Sequence, residues 1–369
     1  MTSSNRVPLK PGDTIGILGG GQLGRMLALA AARLGLKAQV FSPDPDSPAF
    51  DVVQNATCAE YADVEALELF ANDVNVITYE FENVPSATAM ILAARRPVLP
   101  DPKVLETTQD RLAEKDFVTG LGIETARYAD VSSVETLKTA IAKIGLPAVL
   151  KTRRFGYDGK GQAILRAGDD PQKVWADLET KSAILEAFVP FEREISVIAA
   201  RGANGEVVCY DVTENQHRDH ILKFSYAPAA ISDALAAQAR EVATRIATAL
   251  DYVGVLAVEL FVVPGDNGPK LLVNEIAPRV HNSGHWTLDG ASVSQFEQHI
   301  RAIAGWPLAR PVRHGQIVMT NLIGDDVLDH AKWLGIPGAT VHLYGKGSPR
   351  PGRKMGHVTE VKPADSGRK

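Results

Sequence analysis

NEIAPRVHNSGHWT, residues 274–287, follows an apolar run ending in Val273, the mark of a buried strand. At the strand's end an amide and a carboxylate stand side by side, Asn274 and Glu275, an oxygen-ligand pair suited to a hard cation such as Mg²⁺. Arg279, His281, Asn282, Ser283, His285 and Trp286 follow within a dozen residues. Metal ligands running into anion and hydrogen-bond donors point to a metal-bound phosphate donor beside an anionic acceptor. Taken alone, the segment fits equally a polar loop closed by an Asn-Ser-Gly turn, so the rest of the chain has to decide.

The 369 residues exceed what one hydrophobic core usually supports, and two or three domains are expected. Hydrophobic residues at 45% and charged residues at 22% are ordinary for a soluble globular chain. A net charge of −5 gives no reason to expect nucleic-acid binding, though local Arg and Lys clusters can still hold a small anion. Two cysteines, Cys58 and Cys209, are too few for a disulfide framework and fit a reducing cytoplasm. The opening MTSSNRVPLKPGD lacks the apolar run of a signal peptide, and no stretch is long enough to span a bilayer. A soluble, cytoplasmic enzyme with no membrane partner is expected.

From Thr14 to about Leu99 strands and helices alternate: strands at Thr14–Leu18, Ala38–Phe41 and Val74–Thr78, helices at Gln22–Leu34 and Val64–Phe70. This order predicts a parallel α/β sheet. Pro97, Pro100 and Pro102 then mark a boundary. Beyond a helix near Thr108–Leu121, a strand-rich region holds Ala148–Lys151, Ala163–Leu165, Ile184–Glu186, Glu194–Ala199 and Val207–Val212. A long amphipathic helix at Ser232–Leu250 and a hairpin of Val255–Val263 with Lys270–Glu275 complete it. The Gly- and Pro-rich last sixty or so residues predict a small β-rich lobe. The expected division is residues 1–105, 106–305 with a mobile flap lobe at about 120–190, and 306–369.

Gly19-Gly20-Gly21-Gln22-Leu23-Gly24 fits G-x-G-x-x-G between a strand and a helix, with Asp44 near the end of the second strand. Taken alone this reads as an NAD(P) site. The N–H groups of such a turn attract any phosphate, and Asp44 lies in the solvated-looking SPDPDSP. A different phosphate ligand and a purely structural turn therefore stand beside the dinucleotide reading.

Lys151, at the end of a strand, meets a loop carrying Gly156, Gly159 and Gly161. Walker A spacing is absent, but a mobile basic flap with Lys151 and Lys160 can fold over phosphates. Glu186-Ala187-Phe188-Val189 sets a carboxylate and backbone amides where a purine edge and ribose could bind, and Glu194 follows eight residues on. Glu259 lies inside an apolar strand, where an unpaired carboxylate is costly. Paired across the hairpin with Glu275, it would surround a divalent ion; a salt bridge to Lys or Arg is the plainer alternative.

This order of residues resembles the ATP-grasp enzymes as a class. With GGGQLGRM (19–26), YEFENVP (79–85), QDRLAEK (109–115), RRFGYDGKGQ (153–162) and NEIAPRVHNSGHWT, nearly the whole chain is similar to the N5-carboxyaminoimidazole ribonucleotide synthetase family. The resemblance implies an ATP-grasp fold of α/β and α+β content, with an N-terminal parallel, Rossmann-like domain and a C-terminal β-rich lobe. It implies ATP-driven carboxylation of 5-aminoimidazole ribonucleotide by bicarbonate, Mg²⁺ as metal, and a homodimer. It places ATP against Arg111, Lys151, Gly156–Gln162 (Gly156, Tyr157, Asp158, Gly159, Lys160, Gly161, Gln162), Glu186, Ala187, Phe188, Val189, Glu194, His217, Asn274 and Glu275. Mg²⁺ falls to Glu259 and Glu275. The aminoimidazole ribonucleotide falls to Gln22, Leu23, Glu80, Arg279, His281 and Asn282, with Lys346, Arg353 and Lys354 on its phosphate. Lys151, Tyr157, Asp158, Arg279, His281 and Asn282 are the expected catalytic set. Arg279 is the natural fork for bicarbonate or carboxyphosphate, and either His281 or phosphate takes the amine proton.

Overall fold

The structure, a computed structural model, describes residues 7–156, 159–266 and 268–363. Strands β1 (Thr14–Leu18), β2 (Lys37–Ser42), β3 (Asn55–Cys58) and β4 (Val76–Tyr79) form a parallel sheet in the order β3-β2-β1-β4. Helices α1 (Gln22–Arg33) and α2 (Val64–Asn72) make the crossovers, and α3 (Ser86–Ala93), α4 (Pro102–Thr108) and α5 (Arg111–Gly120) lead onward. Asp63, Asp101 and Asp110 cap α2, α4 and α5 by accepting first-turn N–H groups, the local reason these helices begin where they do. The strand expected third in sequence is the fourth. The one missed, β3, is a four-residue edge strand that is mostly exposed and so carries no apolar signal.

A second, antiparallel sheet has the order β5-β8-β6-β7, from β5 (Tyr128–Val131), β6 (Ala148–Thr152), β7 (Gln162–Leu165) and β8 (Ala183–Ala187). Helices α6 (Val134–Ile144) and α7 (Pro171–Asp177) pack on it around Leu137, Ile144, Leu150 and Leu185. This is the flap-bearing lobe.

The largest sheet contains β9 (Arg193–Arg201), β10 (Val207–Cys209), β11 (Thr213–Arg218), β12 (Ile221–Ala227), β13 (Gly254–Val263), β14 (Lys270–Ala277), β15 (Gln316–Ile323), β16 (Ala339–Leu343) and β17 (Lys354–Lys362). Eight run in the order β14-β13-β9-β11-β12-β15-β17-β16, and β10 pairs with β9. The expected strand Val207–Val212 therefore ends at Cys209. The C-terminal lobe is β-rich as expected, but it has no sheet of its own: β15 pairs with β12 and extends the central sheet. Helices α8 (Asp233–Ala249), α9 (Thr287–Gly290), α10 (Gln295–Ala304) and α11 (His330–Leu334) complete the chain.

Both faces of β9 and β13 are covered, which explains their nearly continuous apolar sequences. Ile195, Val197, Leu256 and Val258 share a core with Leu235, Ala239 and Ile246 of α8. Their neighbours Ile198, Ala200, Val255 and Ala257 face Phe296, Ile300 and Ile303 of α10. That second core continues into Ile15, Ile17 and Leu27, so α1 packs on α10 and fixes the parallel sheet beside the central one. His299 of α10 adds a polar tie: the Val255 N–H donates to its Nδ1 at 3.1 Å, and its Nε2 lies 2.8 Å from Thr78 Oγ1. No helix among the described residues is long and apolar enough to cross a membrane.

Candidate active site

The three sheets meet around a cleft of about 1000 Å³, lined by the flap, the ends of β13 and β14, and the loops after β1 and β4. On one side, Lys151 Nζ lies 2.9 Å from Glu186 Oε2, and Lys115 Nζ approaches the same oxygen at 3.8 Å. Burial raises the Glu186 carboxyl, but Lys151 and Lys115 outweigh it and hold the group at about 2. Lys115 is almost wholly buried and also donates to the carbonyls of Val273 and Asn274 at 3.3 and 2.9 Å. It thereby bonds α5 to β14 and to the flap lobe at once. Arg111 reaches Glu275 at 3.4 Å and the Gly156 carbonyl at 3.0 Å, linking strand to flap. The first arginine of the flap, Arg153, forks onto Asp110, the cap of α5, and anchors the flap's base. At its tip Gly159, with φ of 78°, packs so close to His220 that a Cβ would come within 2.7 Å of that ring. The flap therefore rests on the β11–β12 hairpin.

Glu259 and Glu275 are direct partners across the β13–β14 hairpin, with a bulge beside them. Burial and then the Glu275 charge raise the Glu259 carboxyl well above its ordinary range. Two carboxylates facing one another across a hairpin are a donor set that a hard cation satisfies. Among the described residues no three His, Cys, Asp or Glu side chains converge as a metal cage, so phosphate oxygens would have to complete the coordination. Glu194 meets His217 Nδ1 at 2.6 Å on the same side of the cleft.

The opposite side carries the acceptor candidates. Arg279 is not an unengaged fork: its Nε and Nη2 donate to the two oxygens of Glu82, and its Nη1 donates to the Val280 carbonyl at 3.2 Å. The outer edge of the guanidinium keeps one N–H on each of Nη1 and Nη2, and Arg279 lines the cleft. Burial favours the neutral form of Glu82, but Arg279 prevails and holds the carboxyl at about 2. His281 Nε2 lies 3.3 Å from Glu259, and burial followed by Arg279 pushes the imidazole down to about 3. Asn282 is 9% exposed, and neither amide atom has a hydrogen-bond partner among the described residues. An orphaned amide of this kind costs stability unless a ligand completes it.

The Gly-rich turn is already occupied. Glu80, after β4, accepts the Gly21 and Gly24 N–H groups at 2.6 Å each. A Cβ on Gly19 would meet Glu80 Cγ at 2.4 Å, and one on Gly21 would meet Glu80 Oε1 at 2.6 Å, so the glycines admit this carboxylate. The readings of the turn as a dinucleotide or other phosphate site are thereby corrected: the anion at the α1 N-terminus is the protein's own.

Three family models match in succession: a ribonucleotide synthetase preATP-grasp domain at residues 13–109, an ATP-grasp domain at 116–296, and a phosphoribosylaminoimidazole carboxylase C-terminal domain at 317–366. A Brucella melitensis protein named N5-carboxyaminoimidazole ribonucleotide synthase is 51% identical over 97% of this chain and 99% of its own. The chain belongs to the N5-carboxyaminoimidazole ribonucleotide synthase family. A Pseudomonas aeruginosa member is 46% identical over 94% of this chain and 93% of its own. Among solved members, the Staphylococcus aureus synthetase complexed with ADP aligns with a TM-score of 0.92 at 35% identity, covering 97% of this chain and 95% of that one. The Aspergillus clavatus synthase in complex with ADP and 5-aminoimidazole ribonucleotide aligns at 0.88 and 31% identity, covering 96% and 95%.

Of the residues singled out from sequence, most line the one cleft. These are Gln22, Leu23, Glu80, Arg111, Lys151, Gly156, Gly159, Lys160, Gln162, the 186–189 segment, Glu194, His217, Glu259, Asn274, Glu275, Arg279, His281, Asn282 and Lys354. Gly161 lies just behind the flap, against Thr152. Lys346 and Arg353 stand off the lining. Lys346 is pushed down to about 8 by burial and then by the Arg353 charge, with Glu80 opposing, which places it near that carboxylate. Tyr157 and Asp158 lie outside the described residues. Sequence reasoning missed Glu82, Glu114, Lys115, and Phe191 stacked on Phe261 with ring centres 4.7 Å apart. Glu114 accepts the Ile276 N–H at 3.0 Å and so braces the strand end from below.

Proposed function

We propose that the chain carboxylates 5-aminoimidazole ribonucleotide with bicarbonate and ATP, giving N5-carboxyaminoimidazole ribonucleotide, ADP and phosphate in de novo purine synthesis. One observation carries the reading: a single cleft joins a cationic, carboxylate-lined pole to an acceptor pole at Arg279, His281 and the partnerless amide of Asn282. ATP takes Arg111, Lys151, Gly156–Gln162, Glu186–Val189, Glu194 and His217. Glu259 and Glu275, beside Asn274, hold Mg²⁺, which when bound offsets charge on the transferring phosphoryl group. The aminoimidazole ribonucleotide takes Gln22, Leu23, Glu80 and the acceptor pole, with Lys346, Arg353 and Lys354 toward its phosphate. Mg²⁺ as the ion, the homodimer, the cytoplasmic location and the division at residues 105 and 305 belong to the same proposal, on the strength of the family resemblance.

In the chemistry, a bicarbonate oxygen attacks the γ-phosphorus and the bond to the β,γ-bridging oxygen breaks, releasing ADP and leaving carboxyphosphate. Lys151 stabilises the charge that develops on the phosphoryl oxygens. The outer edge of Arg279 and the Asn282 amide hold the carboxyl end. The amine nitrogen then forms its bond to the carboxyl carbon, the bond from that carbon to the phosphate-bearing oxygen breaks, and the departing phosphate takes the amine proton. Closure of the flap keeps bulk water from hydrolysing the intermediate. The test is coupling: ADP release should rise only when bicarbonate and 5-aminoimidazole ribonucleotide are both present. Equal turnover with formate and glycinamide ribonucleotide would instead indicate a formate-dependent transformylase.

A further inference from the structure

His281 sits at the end of a line of buried polar side chains that no substrate contact requires. Ser225 Oγ donates to Asn215 Oδ1 at 3.0 Å, and Asn215 Nδ2 donates to Ser196 Oγ at 2.9 Å. Ser196 Oγ donates to Ser283 Oγ at 2.7 Å, and Ser283 Oγ lies 2.9 Å from His281 Nδ1. Ser196, Ser225 and Ser283 are fully buried and Asn215 is 5% exposed. They come from β9, β11, β12 and the turn after β14, so the central sheet is interrupted by hydroxyls and an amide where its neighbours are aliphatic.

The polarity of this line is fixed at its histidine end. The main-chain N–H of Ser283 also donates to His281 Nδ1, at 3.3 Å. A backbone N–H has no acceptor form, so Nδ1 carries a lone pair and the ring's proton is on Nε2. Ser283 Oγ receives its hydrogen bond from Ser196 and gives its own proton to Nδ1. The main chain on either side of the ring is fixed too. The His281 N–H donates to Gln295 Oε1 at 2.9 Å, and Gln295 Nε2 donates to the His281 carbonyl at 2.7 Å.

We propose that Ser283, Ser196 and Asn215 are positioning residues that lock His281 as its Nε2–H tautomer, making it a hydrogen-bond donor in the acceptor pole and never the base for the amine proton. The inference rests on the function proposed above. Nδ1, the only ring nitrogen able to accept a proton, is held inside the fold by two donors. Nε2–H is aimed at Glu259 and the cleft, where the ligands are anionic. Proton acceptance by the departing phosphate is then the remaining route.

The test uses the full chain labelled with ¹⁵N-histidine, the His281 ring signals being those that vanish in His281→Gln. The wild type should show a protonated Nε2 and a bare Nδ1. In Ser283→Ala only the longer backbone N–H bond of 3.3 Å still holds Nδ1, so a population with Nδ1 protonated should appear, while kcat falls about tenfold to a hundredfold, the range for loss of a supporting partner, and the KM for ATP holds. A protonated Nδ1 in the wild type overturns the lock without reference to any variant. A Ser283→Ala chain that shifts the tautomer yet keeps its kcat overturns the catalytic half of the proposal. Failure of the underlying reading is separable, because the wild type itself would then release no ADP with bicarbonate and 5-aminoimidazole ribonucleotide.

Discussion

Glu82→Gln separates the positioning of Arg279 from its chemistry. The carboxylate accepts from Arg279 Nε and Nη2, and despite burial its acidity is held at about 2 instead of the ordinary 4.5. At about 1.4 kcal/mol per pH unit that difference corresponds to about 3.4 kcal/mol of preference for the charged pair. The side chain is 30% exposed, so solvent screening reduces the figure to about 2 kcal/mol. With a urea dependence of about 2–3 kcal/mol per molar, the denaturation midpoint at pH 7 should fall by about 0.7–1 M. The folded-state acidity is depressed, so this stability is fully present above about pH 4.5 and is lost as pH falls toward 2. The gap between wild type and variant should accordingly narrow below pH 4.5. Urea titrations of both chains at pH 7 and pH 3.5, with kinetics at pH 7, measure all of this. Activity should drop about tenfold to a hundredfold in kcat with an unchanged KM for ATP, because Arg279 lies on the acceptor side. Coincident midpoints at pH 7 together with full activity would refute the claim that Glu82 holds Arg279 in place.

Lys115→Met leaves Glu186 with Lys151 as its nearest cation and removes donors from the Val273 and Asn274 carbonyls. The KM for ATP should rise about tenfold while the KM for the aminoimidazole ribonucleotide stays, as steady-state kinetics would show. Gly21→Ala puts a Cβ 2.6 Å from Glu80 Oε1 and breaks the cap on α1. A destabilisation of about 1–3 kcal/mol, read from denaturation midpoints, and a raised KM for the aminoimidazole ribonucleotide are expected. Glu259→Gln removes one of the paired carboxylates and should cut turnover by more than about a hundredfold while shifting the Mg²⁺ requirement upward, measured as ADP release against metal concentration.

The parts legible from the sequence were those whose signal is local. Glu259 stood out because a lone carboxylate interrupts the apolar run of β13, and its pairing with Glu275 followed from a hairpin with a short turn. The flap was marked by glycines and lysines within a dozen residues. What stayed hidden depends on partners far along the chain. Lys115 reads as an ordinary helix lysine, and its burial appears only when β14 brings the Val273 and Asn274 carbonyls to it from 158 and 159 residues away. Glu80 and Glu82 sit in one short motif yet do different work, one capping α1 and the other gripping Arg279 from 197 residues away. Ser196 and Asn215 look like the polar positions of half-exposed strands, and only the stacking of α10 and the 281–287 turn over the sheet makes them interior. The Gly-rich turn misled for a related reason: the physics of an anion site at a helix N-terminus was right, but the anion came from Glu80.

Transfer of label from bicarbonate tests the central claim most directly. With ¹³C,¹⁸O-bicarbonate, ATP and 5-aminoimidazole ribonucleotide, the account predicts ¹³C in a new carboxyl on the exocyclic nitrogen and one ¹⁸O in the released phosphate, since the oxygen that attacked the γ-phosphorus leaves with it. A carboxylated product accompanied by unlabelled phosphate would contradict activation through carboxyphosphate, and ADP formed with no ¹³C in the product would contradict the carboxylation itself.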